Sequence, residues 1–176
     1  MKIIYVLAGC GLLASSVAMA EGIQNIGSAG DVHFTISIRQ GTCELEKSNI
    51  DVDMGTITLS KPAIVGRELN QQAFSIGLKN CQDVARVYVT MDGTPDATNP
   101  DLFALDSGGA TGIALKIKAK SGVQQYPVST KSTPVEHSIW FNGTNALNYI
   151  ASYVPVKSDA TSGQANATVN FSVVYE

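Results

Sequence analysis

The residues of this 176-residue chain whose types could do chemistry are few and scattered. His33 and His137 are its two histidines. Neither has a cysteine or carboxylate at metal-ligand spacing, so a surface or strand-edge role outweighs a metal site. Asp92, Asp96, Asn99 and Asp101 offer oxygen ligands in a stretch with Gly93, Pro95 and Pro100. Their intervals lack the EF-hand pattern, and the stretch reads as a solvated loop. Gly108-Gly109-Ala110-Thr111-Gly112 lacks the lysine and the following helix of a phosphate-cradling loop. Trp140-Phe141, Tyr149 and Tyr153 could stack on sugar rings, although packing within a β-core is the stronger expectation. No nucleophile–base pair, Gly-x-Ser-x-Gly motif or zinc motif stands out. The chain is therefore read as a non-enzyme with no cofactor, metal or small-molecule substrate.

Cysteine use points to export. Lys2, the apolar run Ile3–Leu7 with Leu12 and Leu13, and the ending Ala18-Met19-Ala20 have the layout of a secretory signal over residues 1–20. Cleavage there would remove Cys10 and Lys2, leaving 156 residues with a formal charge of 11 − 15 = −4. Cys43 and Cys81 then remain as a pair in an exported chain, and a disulfide is expected. The acidic balance and the lack of a Lys/Arg run argue against nucleic-acid partners. The length suits one domain.

The elements that must position these residues are strands. Short runs rich in Val, Ile, Thr, Phe and Tyr alternate with turn residues, and no helical period is framed by caps. Expected strands are 32–38, Thr42–Leu45, Ile50–Val52, Ala73–Leu78, Arg86–Met91, Ile113–Ala119, Gln125–Val128, Ser138–Phe141 and Tyr149–Val156. A last one runs from Ala165 to the end. In it the odd positions Ala165, Ala167, Val169, Phe171, Val173 and Tyr175 are apolar, and the even ones are polar except Val174. Such alternation predicts one buried face. Near the other end, Val32, Phe34, Ile36 and Ile38 alternate with His33, Thr35 and Ser37. An apolar strand at the start of an exported chain either folds back into its own sheet or pairs with another chain.

Several of these features together resemble a chaperone–usher pilin, most closely the type 1 fimbrial subunit family. They are the signal, Gly30-Asp31-Val32-His33-Phe34 about ten residues before Cys43, the second cysteine in Lys79-Asn80-Cys81, and Thr111-Gly112-Ile113-Ala114-Leu115-Lys116-Ile117. The ending adds Gly163, fourteenth from the C-terminus, and the penultimate Tyr175. The resemblance implies an all-β, incomplete immunoglobulin-like sandwich that lacks its seventh strand. It divides the chain into signal 1–20, an N-terminal donor-strand extension 21–41 and a pilin domain 42–176. It makes Val32, Phe34, Ile36 and Ile38 the donor face. Gly163 and the odd residues Ala165 to Tyr175 mark the strand bordering the acceptor groove. The implied partners are a periplasmic chaperone, an outer-membrane usher and neighbouring pilin subunits, and the implied destination is a surface fimbria that supports adhesion. A tip or adaptor subunit that itself binds a host glycan or protein is the alternative, and shaft and minor subunits share all these features. In one departure, Ile36 stands where the family's donor strand usually has glycine.

Overall fold

The computed structural model describes residue 36, residues 41–131, 133–140 and 142–176. Ile38–Glu176 forms one compact unit. The expected signal and nearly all of the expected strand 32–38 lie outside the described residues. Of its donor face only Ile36 is described, and it is 82% exposed.

Among the described residues eight strands follow in order: β1 Thr42–Leu45, β2 Leu69–Gln82, β3 Arg86–Asp92, β4 Ile113–Ala119, β5 Gln124–Gln125, β6 Val135–Ser138, β7 Gly143–Pro155 and β8 Asn170–Tyr175. They form two antiparallel sheets, one ordered β1-β2-β7-β4-β5 and the other β6-β3-β8. The sheets make an immunoglobulin-like sandwich. Alternation explains the packing, because every second side chain of a strand points to the same face. Val87, Val89 and Met91 of β3 point inward with 2% exposure or less, towards a core shared with Ile76, Leu78, Leu115, Ile117, Leu147 and Tyr149. The C-terminal half of β7 is buried on both faces, since Val154 packs with Leu102, Ala114 and Val156 in a second cluster outside the main core.

Six expected strands need correction: β2 extends four residues beyond each end of the expected Ala73–Leu78, and β7 starts six residues before Tyr149. Ile50–Val52 forms no ladder among the described residues, although Ile50 and Val52 still turn inward. Gln125–Val128 shortens to the two residues of β5. The expected Ser138–Phe141 is displaced to Val135–Ser138, where Val135 is buried opposite Val89 and Trp140 is 80% exposed. The final strand starts at Asn170 rather than Ala165, because only from there does β3 offer a partner, Asp92.

Candidate functional site

The stretch Ala165–Val169 has the side-chain pattern of a strand and no ladder among the described residues. Its residues alternate half-buried and exposed, and Ala165, Ala167, Val169 and Phe171 pack against the core. A second segment, 48–61, behaves the same way. Ile50, Val52 and Met54 turn inward at even positions, then Ile57 and Leu59 at odd positions. The parity changes at Gly55, whose φ of +62° suits glycine. Both segments wall a groove of about 1330 Å³. Phe74, Met91, Leu115, Ile117, Ala151 and Tyr153 are among the residues at its base.

One wall is held from outside. The carbonyls of Gln164 and Asn166 accept from the amides of Ala110 (2.7 Å) and Asp106 (2.8 Å), and Thr168 Oγ1 donates to Asp106 Oδ2 at 3.3 Å. The approach is possible because two glycines meet there. A Cβ on Gly163 would lie 2.6 Å from the Ala110 amide nitrogen, and one on Gly109 would lie 2.0 Å from the Gln164 carbonyl oxygen. Tyr153 ties the groove base to the wall by donating its hydroxyl to the Ala165 carbonyl. Burial, then the negative Asp106 nearby, raises the Tyr153 pKa above its ordinary value, which keeps that donor protonated.

The disulfide joins Cys43 of β1 to Cys81 of β2, with Cα atoms 4.2 Å apart. It staples the edge strand next to the start of the domain. Deeper in, Tyr149 organises the polar groups. Its hydroxyl meets His137 Nε2 at 2.7 Å and Gln125 Nε2 at 3.4 Å, while Gln125 also donates to the Val89 carbonyl and Phe74 stacks on the Tyr149 ring. Burial pushes Tyr149 well above the usual tyrosine range and His137 below the usual histidine value. His137 thus has the expected strand-edge place, on β6 at the edge of its sheet, where it is half-buried against the core. The aromatic set proposed for sugar stacking is split: Tyr149 and Tyr153 are buried and Trp140 stands outside. The loop acids serve the backbone. Asp96 Oδ1 accepts from the amides of Thr98 and Asn99, and Asp92 Oδ1 from Gly93. On the outer face of β4, Lys116 and Lys118 clasp Glu68 at 2.9 and 2.8 Å, which holds its carboxyl below the usual carboxylate value, Lys118 contributing most.

The model of the family described as "Fimbrial protein" matches residues 32–176. The chain belongs to that family. This fimbrial chain is 65% identical to "Protein LpfE" of Salmonella typhimurium (strain LT2) over 176 residues, covering all of both chains. It is 47% identical to "Probable fimbrial subunit LpfE" of Escherichia coli O157:H7 over 170 residues, 97% of this chain and 94% of that one. Among solved structures, the P pilus rod subunit PapA aligns with a TM-score of 0.60 at 22% identity, covering 76% of this chain and 99% of that one. The CupB6 tip adhesin of Pseudomonas aeruginosa aligns at 0.63 and 20% identity, over 75% of this chain and 38% of the adhesin. These likenesses show the fold, and the family makes the chain a structural fimbrial subunit.

Of the residues expected along the final strand, Gly163 to Phe171 line the groove, whereas Val173 packs on the core away from it and Tyr175 is 37% exposed; residues 53–59 carried no expectation. The signal for residues 50–59 is present as two short alternations, but the parity change at Gly55 breaks the period.

Proposed function

We propose that this subunit polymerises by strand addition: its groove receives an extended segment of a neighbouring subunit, and its own residues 32–38 fill the groove of another. The observation that carries this reading is the pair of facing walls, 50–59 and 165–171, which turn apolar side chains inward with no strand ladder between them among the described residues. An extended segment laid there would pair with backbone on either side and place alternate side chains on an apolar base. β-Strand addition gains affinity and selectivity in this way.

Burial of the donor face alone does not make the joint long-lived. Val32, Phe34, Ile36 and Ile38 contribute roughly 1.5–3 kcal/mol each when fully buried. Ordering the segment costs about 1–2 kcal/mol per residue, which offsets much of that gain. Persistence then rests on slow release, because every backbone pair along the strand must open before it leaves. Register matters as well. A shift of two residues keeps the same face inward, whereas a shift of one would bury His33, Thr35 and Ser37.

A subunit with an uncovered apolar groove needs a periplasmic chaperone to cover it and an outer-membrane usher to exchange that cover for the next subunit. Residues 1–20 serve as the export signal, and the product is a fimbria on the cell surface. Ile36 is a large side chain in the donor face, and it favours a receiving groove deep enough to hold it. Deleting Glu21–Ile38 tests the reading. The truncated chain should still co-purify with its chaperone and should fail to dock on a preceding subunit. Normal incorporation of the truncated chain into fimbriae would refute the donor role.

A further inference from the structure

Trp140 is the single tryptophan of the chain, and it is 80% exposed. It stands beside a shallow depression of about 290 Å³ that Lys120, Glu136, His137 and Asn148 also line. Tryptophan is among the residues most enriched where binding energy concentrates in protein interfaces.

Its place in the fold suggests what covers it. The residues on either side of Trp140-Phe141 are fastened to one turn: the Ile139 amide donates to the Ala85 carbonyl at 2.9 Å, and Asn142 Oδ1 accepts from the Asp83 amide at 3.3 Å. Gly41 packs on that same turn, so closely that a Cβ on it would lie 2.5 Å from the Asp83 carbonyl oxygen. Gly41, where the described domain begins, thus sits on the same turn that holds the neighbours of Trp140. Residue 38 precedes Gly41 by three residues, which span at most about 10 Å. A subunit that held residues 32–38 in its groove would be a body roughly 30 Å across. Seated within that tether's reach of Gly41, it must come up against the end of the domain that carries Trp140.

We propose that Trp140 and the depression beside it form a docking face for the neighbouring subunit that accepts this chain's donor strand. The inference rests on the strand-addition reading above. It adds a second, side-chain contact that fixes how one domain sits on the next. The indole is the apolar anchor. Lys120, Glu136 and Asn148 supply the polar rim that such anchors usually have.

A photo-cross-linking phenylalanine analogue, placed singly at position 36 or position 140 of the full-length chain in cells assembling fimbriae, tests this. Cross-linked partners are identified by mass spectrometry. Both positions should mark the same subunit species, and the position-140 product should disappear when Glu21–Ile38 is deleted. A pilin cross-link at position 36 with none at 140, or with a different protein at 140, overturns the docking face and leaves strand addition standing. No pilin cross-link at position 36 overturns both. In a second measurement, Trp140→Ala should shorten the half-life of the assembled joint in denaturant by about tenfold without reducing joint formation. An unchanged half-life counts against the contact.

Discussion

Gly163 and Gly109 let two backbone segments touch, and no side chain fits between them. Gly163→Ala should push Gln164–Thr168 away from Asp106–Ala110 and cost about 1–3 kcal/mol, the usual scale of overpacking. A urea titration of the chaperone-free, groove-filled subunit measures the loss, and an unchanged midpoint would mean that the wall can move outward at little cost. Cys43→Ser removes a cross-link closing 38 residues of sequence separation, worth on the order of 4 kcal/mol in the chain-entropy account. Lower periplasmic yield and a lower Tm are expected, and reductant should reproduce the Tm change in the parent. His137 carries a pH dependence whose sign is set by burial. Its pKa is lowered in the folded chain, so the unfolded chain takes up a proton first as pH falls below about 6.5. Its contribution to stability is complete above that pH and is lost as pH falls towards the folded value. Comparing denaturant midpoints at pH 7.5 and 5.5 should show a smaller pH difference in His137→Gln than in the parent.

At the level of elements, donor-face chemistry is tested by a peptide spanning 21–41 against the grooves of different pilins. The parent peptide should prefer a subset of grooves, and Ile36→Gly should broaden that preference. Equal affinities of both peptides for every groove would remove the selectivity assigned to Ile36. Most of the sandwich was legible in the sequence because inward residues recur every second position, as in Val87, Val89 and Met91 of β3 or Ile113, Leu115 and Ile117 of β4. Legibility failed where that period was masked or misleading. β7 begins at Gly143, six residues before its expected start, because its first half is mostly polar and has an exposed face. β6 was expected too late, since Trp140 and Phe141 have strand-like character, whereas the buried anchor opposite β3 is Val135. The 50–59 wall was half hidden by its parity change. The partnership of His137 with Tyr149 joins residues of two different sheets, which no local spacing reports.

At the scale of the domain, the groove and the core share apolar residues, so in the proposed joint folding and assembly would draw on the same surface. Phe171→Ala in the wall should therefore weaken both. Thermal stability should fall by a few kcal/mol, in the range of about 3–5 for a buried phenylalanine and less here because Phe171 is only partly buried. Peptide binding to the groove should fall with it, and a loss of stability with unaltered peptide affinity would separate the two roles. The placement of the Cys43–Cys81 bond has a mechanical consequence for a fibre under flow. In the proposed joint, tension carried by the donor strand would enter the domain at Thr42, the first residue of the four-residue edge strand β1. One residue later it meets a covalent bond to the long central strand β2. The load passes directly into the sheet interior, and the few hydrogen bonds of β1 are spared from being peeled open one at a time. Pulling on reduced fibres should accordingly release an early, low-force extension from β1 that oxidised fibres lack.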